Sequence, residues 1–179
     1  MVYGGVLWEI VMLSHFFSGS HTSKVDEKNR FVLPHVLRYG LVENGILRFS
    51  LALGVGGCLS IYRKSDMEKM VEKFREKQHI AQYQRFFTVF FSTLYETECD
   101  KVGRITIPSF LKQAVSMEQD IVIAGVLNKI EIWPKSKYEE NLKLVLEGVD
   151  GEFSQMSEEI LSSIDTKQHQ LPMEKTVLS

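Results

Sequence analysis

Two short stretches carry residue types and spacings that suit chemistry. One is Val25-Asp26-Glu27-Lys28-Asn29-Arg30-Phe31-Val32-Leu33-Pro34, and the other is Cys99-Asp100-Lys101-Val102-Gly103-Arg104-Ile105-Thr106-Ile107-Pro108. Both follow one template: Asp, three residues, Arg, a mostly apolar triplet, Pro, then a short apolar-basic segment ending at Arg38 or Lys112. Asp26 answers Asp100, Arg30 answers Arg104, Pro34 answers Pro108 and Leu37 answers Leu111, all at one constant offset, so the chain is an internal duplication. Arginine offers a planar, permanently charged fork that suits phosphate oxygens or a guanine edge. An aspartate four residues earlier can hold that fork by hydrogen bonding, which lowers the entropy lost on binding. Gly103 accepts positive φ cheaply, and Asn29 at the matching position is the next most tolerant residue. A tight turn there pushes Lys28, Arg30, Lys101 and Arg104 toward one edge of the fold. The other reading of the same residues is structural: the aspartates cap the turns as Asx motifs and the arginines pair with them.

Paired aspartates from two internal halves also raise the geometry of the retroviral and pepsin-like proteases. Those need Asp-Thr/Ser-Gly in each half, whereas Glu27-Lys28 and Lys101-Val102 follow the aspartates here. A cationic neighbour and a missing hydroxyl both oppose a shared-proton dyad. No Ser-His-Asp elbow, phosphate-binding loop or zinc spacing is present, and His15, His21, His35, His79 and His169 are scattered. No enzyme activity, cofactor, metal or small-molecule substrate is expected. Cys58 and Cys99 lack ligand-like spacing and read as two reduced thiols.

The 179 residues suit one domain of ordinary size, with 44% hydrophobic and 25% charged residues. A net charge of −2 means that any nucleic-acid contact must come from a local patch. The stretch from Met1 to Leu13 is apolar but carries Glu9, has no basic start and is too short to span a bilayer. It reads as an N-terminal extension over residues 1–16, with Met12 an alternative start, in a cytoplasmic protein without membrane contact.

The elements that must position the turns follow in chain order. Ser20 to Val25 is a polar lead-in, Phe31-Val32-Leu33 a short strand, and Pro34 opens a helix running to Tyr39 and stopped by Gly40. Ile46 to Leu53 and Cys58 to Tyr62 are strands joined by the hairpin loop Gly54-Val55-Gly56-Gly57. Ser65 and Glu68 form a capping box, and Met67, Met70, Val71 and Phe74 share a helical face. Ile80 to Phe91 predicts an aromatic-striped helix that packs between the two copies or marks a subunit interface. The second copy repeats the plan: a strand over Leu94–Cys99, the turn, a strand at 105–107, a helix over Pro108–Ala114, a hairpin of Asp120–Gly125 with Lys129–Trp133, and a helix over Ser136–Leu146. Ile61-Tyr62-Arg63-Lys64-Ser65 answers Ile132-Trp133-Pro134-Lys135-Ser136 at a slightly shorter offset, the first hairpin loop being longer. From Gly148 onward an acidic, mobile tail is expected, with at most a short helix over Ser157–Ile164.

The two Asp-x-x-x-Arg turns, each followed by an apolar triplet and Pro, together with the hairpins ending in Ile-Tyr-Arg and Ile-Trp-Pro and the helix after them, closely resemble the MraZ family. The resemblance covers Phe17 to Glu147, and Asn29 departs from the glycine usual in the family's first turn. It implies an α+β fold in which duplicated βαβ-type repeats form a small AbrB-like (swapped-hairpin) β-barrel with flanking helices. The implied organisation is a first repeat over 17–77, an inter-repeat helix over 78–93 and a second repeat over 94–147, with the acidic tail over 148–179 outside the resemblance. It further implies a nucleoid-associated bacterial transcriptional regulator, usually a repressor of the division and cell-wall gene cluster. Such a regulator is a ring-shaped homo-oligomer that binds double-stranded DNA carrying short direct repeats. The DNA-contacting residues it implies are Asp26, Lys28 and Arg30 in the first turn, and Asp100, Lys101 and Arg104 in the second. A protein-binding, antitoxin-like or scaffold module on the same fold is the other reading, since fold alone does not separate the two.

Overall fold

The computed structural model describes residues 16–147 and 152–168, so the N-terminal extension, Phe16 excepted, and Met12 lie outside the described residues. The strands of the first copy are β1 (Ser20–Lys24), β2 (Arg30–Val32), β3 (Val42–Glu43), β4 (Ile46–Leu47), β5 (Phe49–Leu53) and β6 (Leu59–Arg63). Those of the second are β7 (Tyr95–Thr97), β8 (Arg104–Thr106), β9 (Asp120–Val126) and β10 (Lys129–Pro134). The helices are α1 (His35–Tyr39), α2 (Lys64–Glu76), α3 (Gln84–Thr93), α4 (Ser109–Ala114), α5 (Lys135–Glu147) and α6 (Glu152–Gln168).

Pairing runs across the duplication. The main sheet is antiparallel with order β1-β9-β10-β6-β5-β7. Read from either end, it begins with one copy's leading strand laid on the other copy's hairpin: β1 on β9, and β7 on β5. The two hairpins meet at β10 and β6, where Ile130 faces Ile61 and Ile132 faces Leu59. A separate ladder joins β2 to β8. Neither copy therefore satisfies its own strand edges, and the α+β, hairpin-swapped arrangement follows the sequence-based expectation. One core results, with Leu33, Leu37, Phe49 and Ile61 of the first copy packed among Ile105, Leu111, Ile121 and Ile132 of the second. Each of these side chains is at most 1% exposed; full burial of such a group contributes about 1.5–3 kcal/mol.

Several local expectations give way to tertiary contacts. Ser20–Lys24 is a strand rather than a polar lead-in, because five backbone pairings to β9 define it while its side chains stay largely outside the core. The long strand expected over Ile46–Leu53 divides: β4 turns back on β3 through Asn44 (φ 52°) and Gly45 (φ 77°), a hairpin geometry that needs positive φ at both positions. Pro34 stays extended (ψ 137°) and α1 starts at His35. Gly40 ends that helix with right-handed φ, and its small size matters instead, since a Cβ would come 2.5 Å from the Phe17 ring. The capping box does not form. The Glu43 carboxylate takes both the Ser65 backbone N–H (3.1 Å) and its hydroxyl, while Arg63 holds Asp66 at 2.8 Å.

The aromatic stripe packs on the first copy's hairpin rather than between the copies. Ala52, Tyr62, Met67 and Phe90 form a second buried cluster. The Phe74 ring stands 5.5–5.6 Å from the Phe86, Phe87 and Phe90 rings, while Phe86 and Phe91 stay exposed. Residues through Tyr138 form one compact unit and those from Glu139 a second. In the latter α6 is longer than expected, with Phe153, Met156 and Ile160 at helical spacing. No described helix is long and apolar enough to cross a membrane.

Because Ile105 of β8 faces Phe31 of β2 in the shared core, Ile105→Ala should cost roughly 2–5 kcal/mol. Urea denaturation followed by circular dichroism measures it, and a loss below 1 kcal/mol would count against a core shared between the copies.

Candidate nucleic-acid interface

Each Asp-x-x-x-Arg segment folds into the same closed turn. In the first, the Asp26 N–H donates to the Arg30 carbonyl at 2.8 Å and the Asn29 N–H to the Asp26 carbonyl at 2.9 Å. In the second, Asp100 and Gly103 repeat these bonds, both at 2.9 Å. Asn29 has φ 58° and Gly103 φ 87°, the left-handed position that the sequence marked. The aspartate then organises what remains. Asp26 Oδ1 accepts the N–H groups of Lys28 (2.9 Å) and Arg30 (2.8 Å), and its Oδ2 accepts Nε (2.9 Å) and Nη2 (2.7 Å) of the Arg30 side chain. Asp100 Oδ1 accepts the N–H groups of Val102 and Arg104, both at 2.9 Å, and its Oδ2 accepts Arg104 Nε at 2.7 Å. Each aspartate thus does both jobs the sequence left open, capping the turn and orienting the arginine.

The β2–β8 ladder brings the two turns together. Arg30 pairs with Thr106, and Val32 with Arg104, while Phe31 and Ile105 between them are buried. Since alternate strand residues share a face, Arg30, Val32, Arg104 and Thr106 all lie on the outward side. Both arginine forks therefore emerge on one solvent face, with side chains 28% and 36% exposed, and the exposed Lys28 and Lys101 flank them within the turns. The turns also close on each other: the Leu33 N–H donates to the Gly103 carbonyl at 3.0 Å, and the Ile107 N–H to the Asn29 carbonyl at 2.8 Å.

Two further basic residues reach the turns from the opposite copy. Arg38 on α1 donates from Nη1 to the Val102 carbonyl at 3.3 Å, and Lys112 on α4 donates from Nζ to Asn29 Oδ1 at 3.0 Å. Sequence reasoning identified them only as the residues that close the repeated template. Their equivalent positions were the available signal; that each crosses to the other copy's turn was not readable without the ladder.

The electrostatics oppose a protease-like dyad. Hydrogen bonds from the Arg30 side chain and backbone lower the Asp26 pKa, and bonds from the Arg104 backbone and side chain bring Asp100 to about 2. Each carboxylate is ionised and bound to its own arginine rather than sharing a proton. Among the described residues no group of three or more His, Cys, Asp and Glu is placed to hold a metal ion. Both cysteines are free, and burial raises Cys58 to about 12 and Cys99 to about 11, which leaves them as unreactive thiols at neutral pH.

Asp100 ordinarily titrates at 3.8 and is lowered to about 2 by the turn. Its contribution is therefore complete above the ordinary value and is lost as pH falls through about 2. In an amide-resolved NMR titration the Val102 and Arg104 N–H signals should begin to move below about pH 4, and Asp100→Asn should abolish that movement. Signals that stay fixed down to pH 2 would show that the carboxylate does not hold the turn.

Comparison with known proteins shows the family. The model of the family described as "MraZ protein, putative antitoxin-like" matches twice, over residues 16–90 and 90–147. The chain is 35% identical over 128 residues to the transcriptional regulator MraZ of Lachnoclostridium phytofermentans, covering 70% of this chain and 86% of the relative. It is 32% identical over 146 residues to that of Natranaerobius thermophilus, covering 81% of this chain and 96% of the relative. With the protein of the same name from Clostridium beijerinckii, identity is 37% over 125 residues, 69% of this chain and 85% of the relative. Two family matches in tandem, laid over two interlaced copies, place this chain in the MraZ family.

Proposed function

We propose that this protein regulates transcription by binding double-stranded DNA through its paired Asp-x-x-x-Arg turns. The observation that carries the reading is the shared outward face of the β2–β8 ladder. Two arginine forks, each held by an aspartate, stand there with Lys28 and Lys101 beside them. Held forks suit phosphate oxygens and guanine edges, and the lysines suit phosphates alone. The relatives named as transcriptional regulators support the same reading.

The finer picture belongs to the same proposal. Asp26 and Asp100 orient, Lys28 and Lys101 contact phosphates, and Arg30 and Arg104 make the principal contacts. The few cations within the turns make a weak site, so affinity comes from repetition: a homo-oligomeric ring on short direct repeats gains by avidity. The target is the region upstream of the division and cell-wall gene cluster, the usual effect repression, and the place of action the nucleoid. A second reading, an antitoxin-like module that binds a protein partner, is favoured by the wording of the family description.

The deciding experiment compares wild type with Arg30→Ala/Arg104→Ala on a duplex carrying several short direct repeats, across a salt series. Wild type should bind with steep salt dependence, and the variant, still oligomeric by light scattering, should lose at least tenfold in affinity, roughly 1.4 kcal/mol. Equal binding by both proteins, or by neither, would favour the protein-partner reading.

A further inference from the structure

The two turns share a backbone but differ in how their cations are engaged. In the first turn, Arg30 is held at two donors by Asp26. The ammonium of Lys112 is bound to the Asn29 side-chain carbonyl at 3.0 Å, and the Asn29 amide in turn donates to Ser109 Oγ at 3.2 Å. The second turn has Gly103 where the first has Asn29, so no side chain is there to bind a cation. The Arg38 guanidinium instead lies over Gly103, in the space a Cβ would occupy. Among the described residues it makes one hydrogen bond, 3.3 Å to the Val102 carbonyl, although a guanidinium carries five N–H donors. Asp100 holds its neighbour Arg104 through Nε, where Asp26 holds Arg30 at two donors, and Arg104 is the more exposed of the two turn arginines.

We propose that the second turn is the stronger phosphate-binding half of the protomer, and that Arg38, supplied by the first copy, contacts a DNA phosphate there beside Arg104. Lys112, at the equivalent place, is held by Asn29 and contributes little. The inference rests on the DNA-binding reading and adds to it a residue outside the Asp-x-x-x-Arg pattern and an inequality between two halves of one template. Exchanging what occupies the left-handed position exchanges the availability of the cation above it: a glycine leaves a guanidinium over bare backbone, and an asparagine engages an ammonium.

The test uses the full chain and a duplex with several short direct repeats, with binding followed by fluorescence anisotropy across a salt series. Arg38→Gln should weaken binding roughly tenfold and lower the salt slope by about one per protomer in contact, while Lys112→Gln should change affinity less than about threefold. Arg38→Lys should keep the slope, because a point charge still meets a phosphate. Asn29→Gly should steepen it by releasing Lys112. Equal losses from Arg38→Gln and Lys112→Gln, or an unchanged slope in Arg38→Gln, would overturn the inference and leave the DNA reading intact. Failure of wild type to bind would overturn both. Should Arg38→Gln not fold, Asn29→Gly decides, a steeper slope supporting the inference and an unchanged one refuting it.

Discussion

The structure depends on one constraint: the leading strands of each copy, and the short strands after them, find their hydrogen-bond partners in the other copy. An unpaired strand edge in a buried sheet leaves donors and acceptors without water, at a cost comparable to a lost hydrogen bond for each. Laying β1 on β9 and β7 on β5 removes that cost for both halves at once. The ladder of β2 and β8 then follows, because the segments after the leading strands are brought past each other at the centre. The paired turns are therefore a product of interlacing; a copy folded on itself would present one turn alone.

Within each turn a single carboxylate takes over what would otherwise need several groups. Asp26 and Asp100 saturate the N–H groups of a tight left-handed turn and hold an arginine at the same time. The capping and orienting roles are one geometry, since the oxygen that faces the backbone leaves the other facing the side chain. Pre-organisation of the guanidinium lowers the entropy lost when a ligand binds, at the expense of donors already engaged. Arg30, held at two donors, lies further along that balance than Arg104.

Much of this was legible in the residues. The constant offset between Asp26 and Asp100 revealed the duplication, and Asn29 and Gly103 marked the left-handed position because few other residues tolerate it. The hairpin at 54–57 was readable from its glycines. What could not be read was partnership. Ser20–Lys24 has the composition of a loop and is a strand because β9 lies beside it. Ser65 and Glu68 spell a capping box, yet Glu43 from a distant hairpin reaches the helix start instead. Arg38 and Lys112 looked like ordinary helix residues, and only the crossing of the copies turns them toward the site. In each case a contact distant in sequence outweighed a local preference.

The sheet order reads the same from both ends in element type, which makes the protomer a pseudo-twofold object. A surface with true twofold symmetry presents the same aspect to a duplex in either direction, and so is matched to sequences that read alike on both strands. Joining the copies in one chain frees them to differ, and at the turns they do, with Asn29 and Lys112 on one side and Gly103 and Arg38 on the other. The protomer thereby acquires a heading. Whatever lies across the paired turns meets a front and a back.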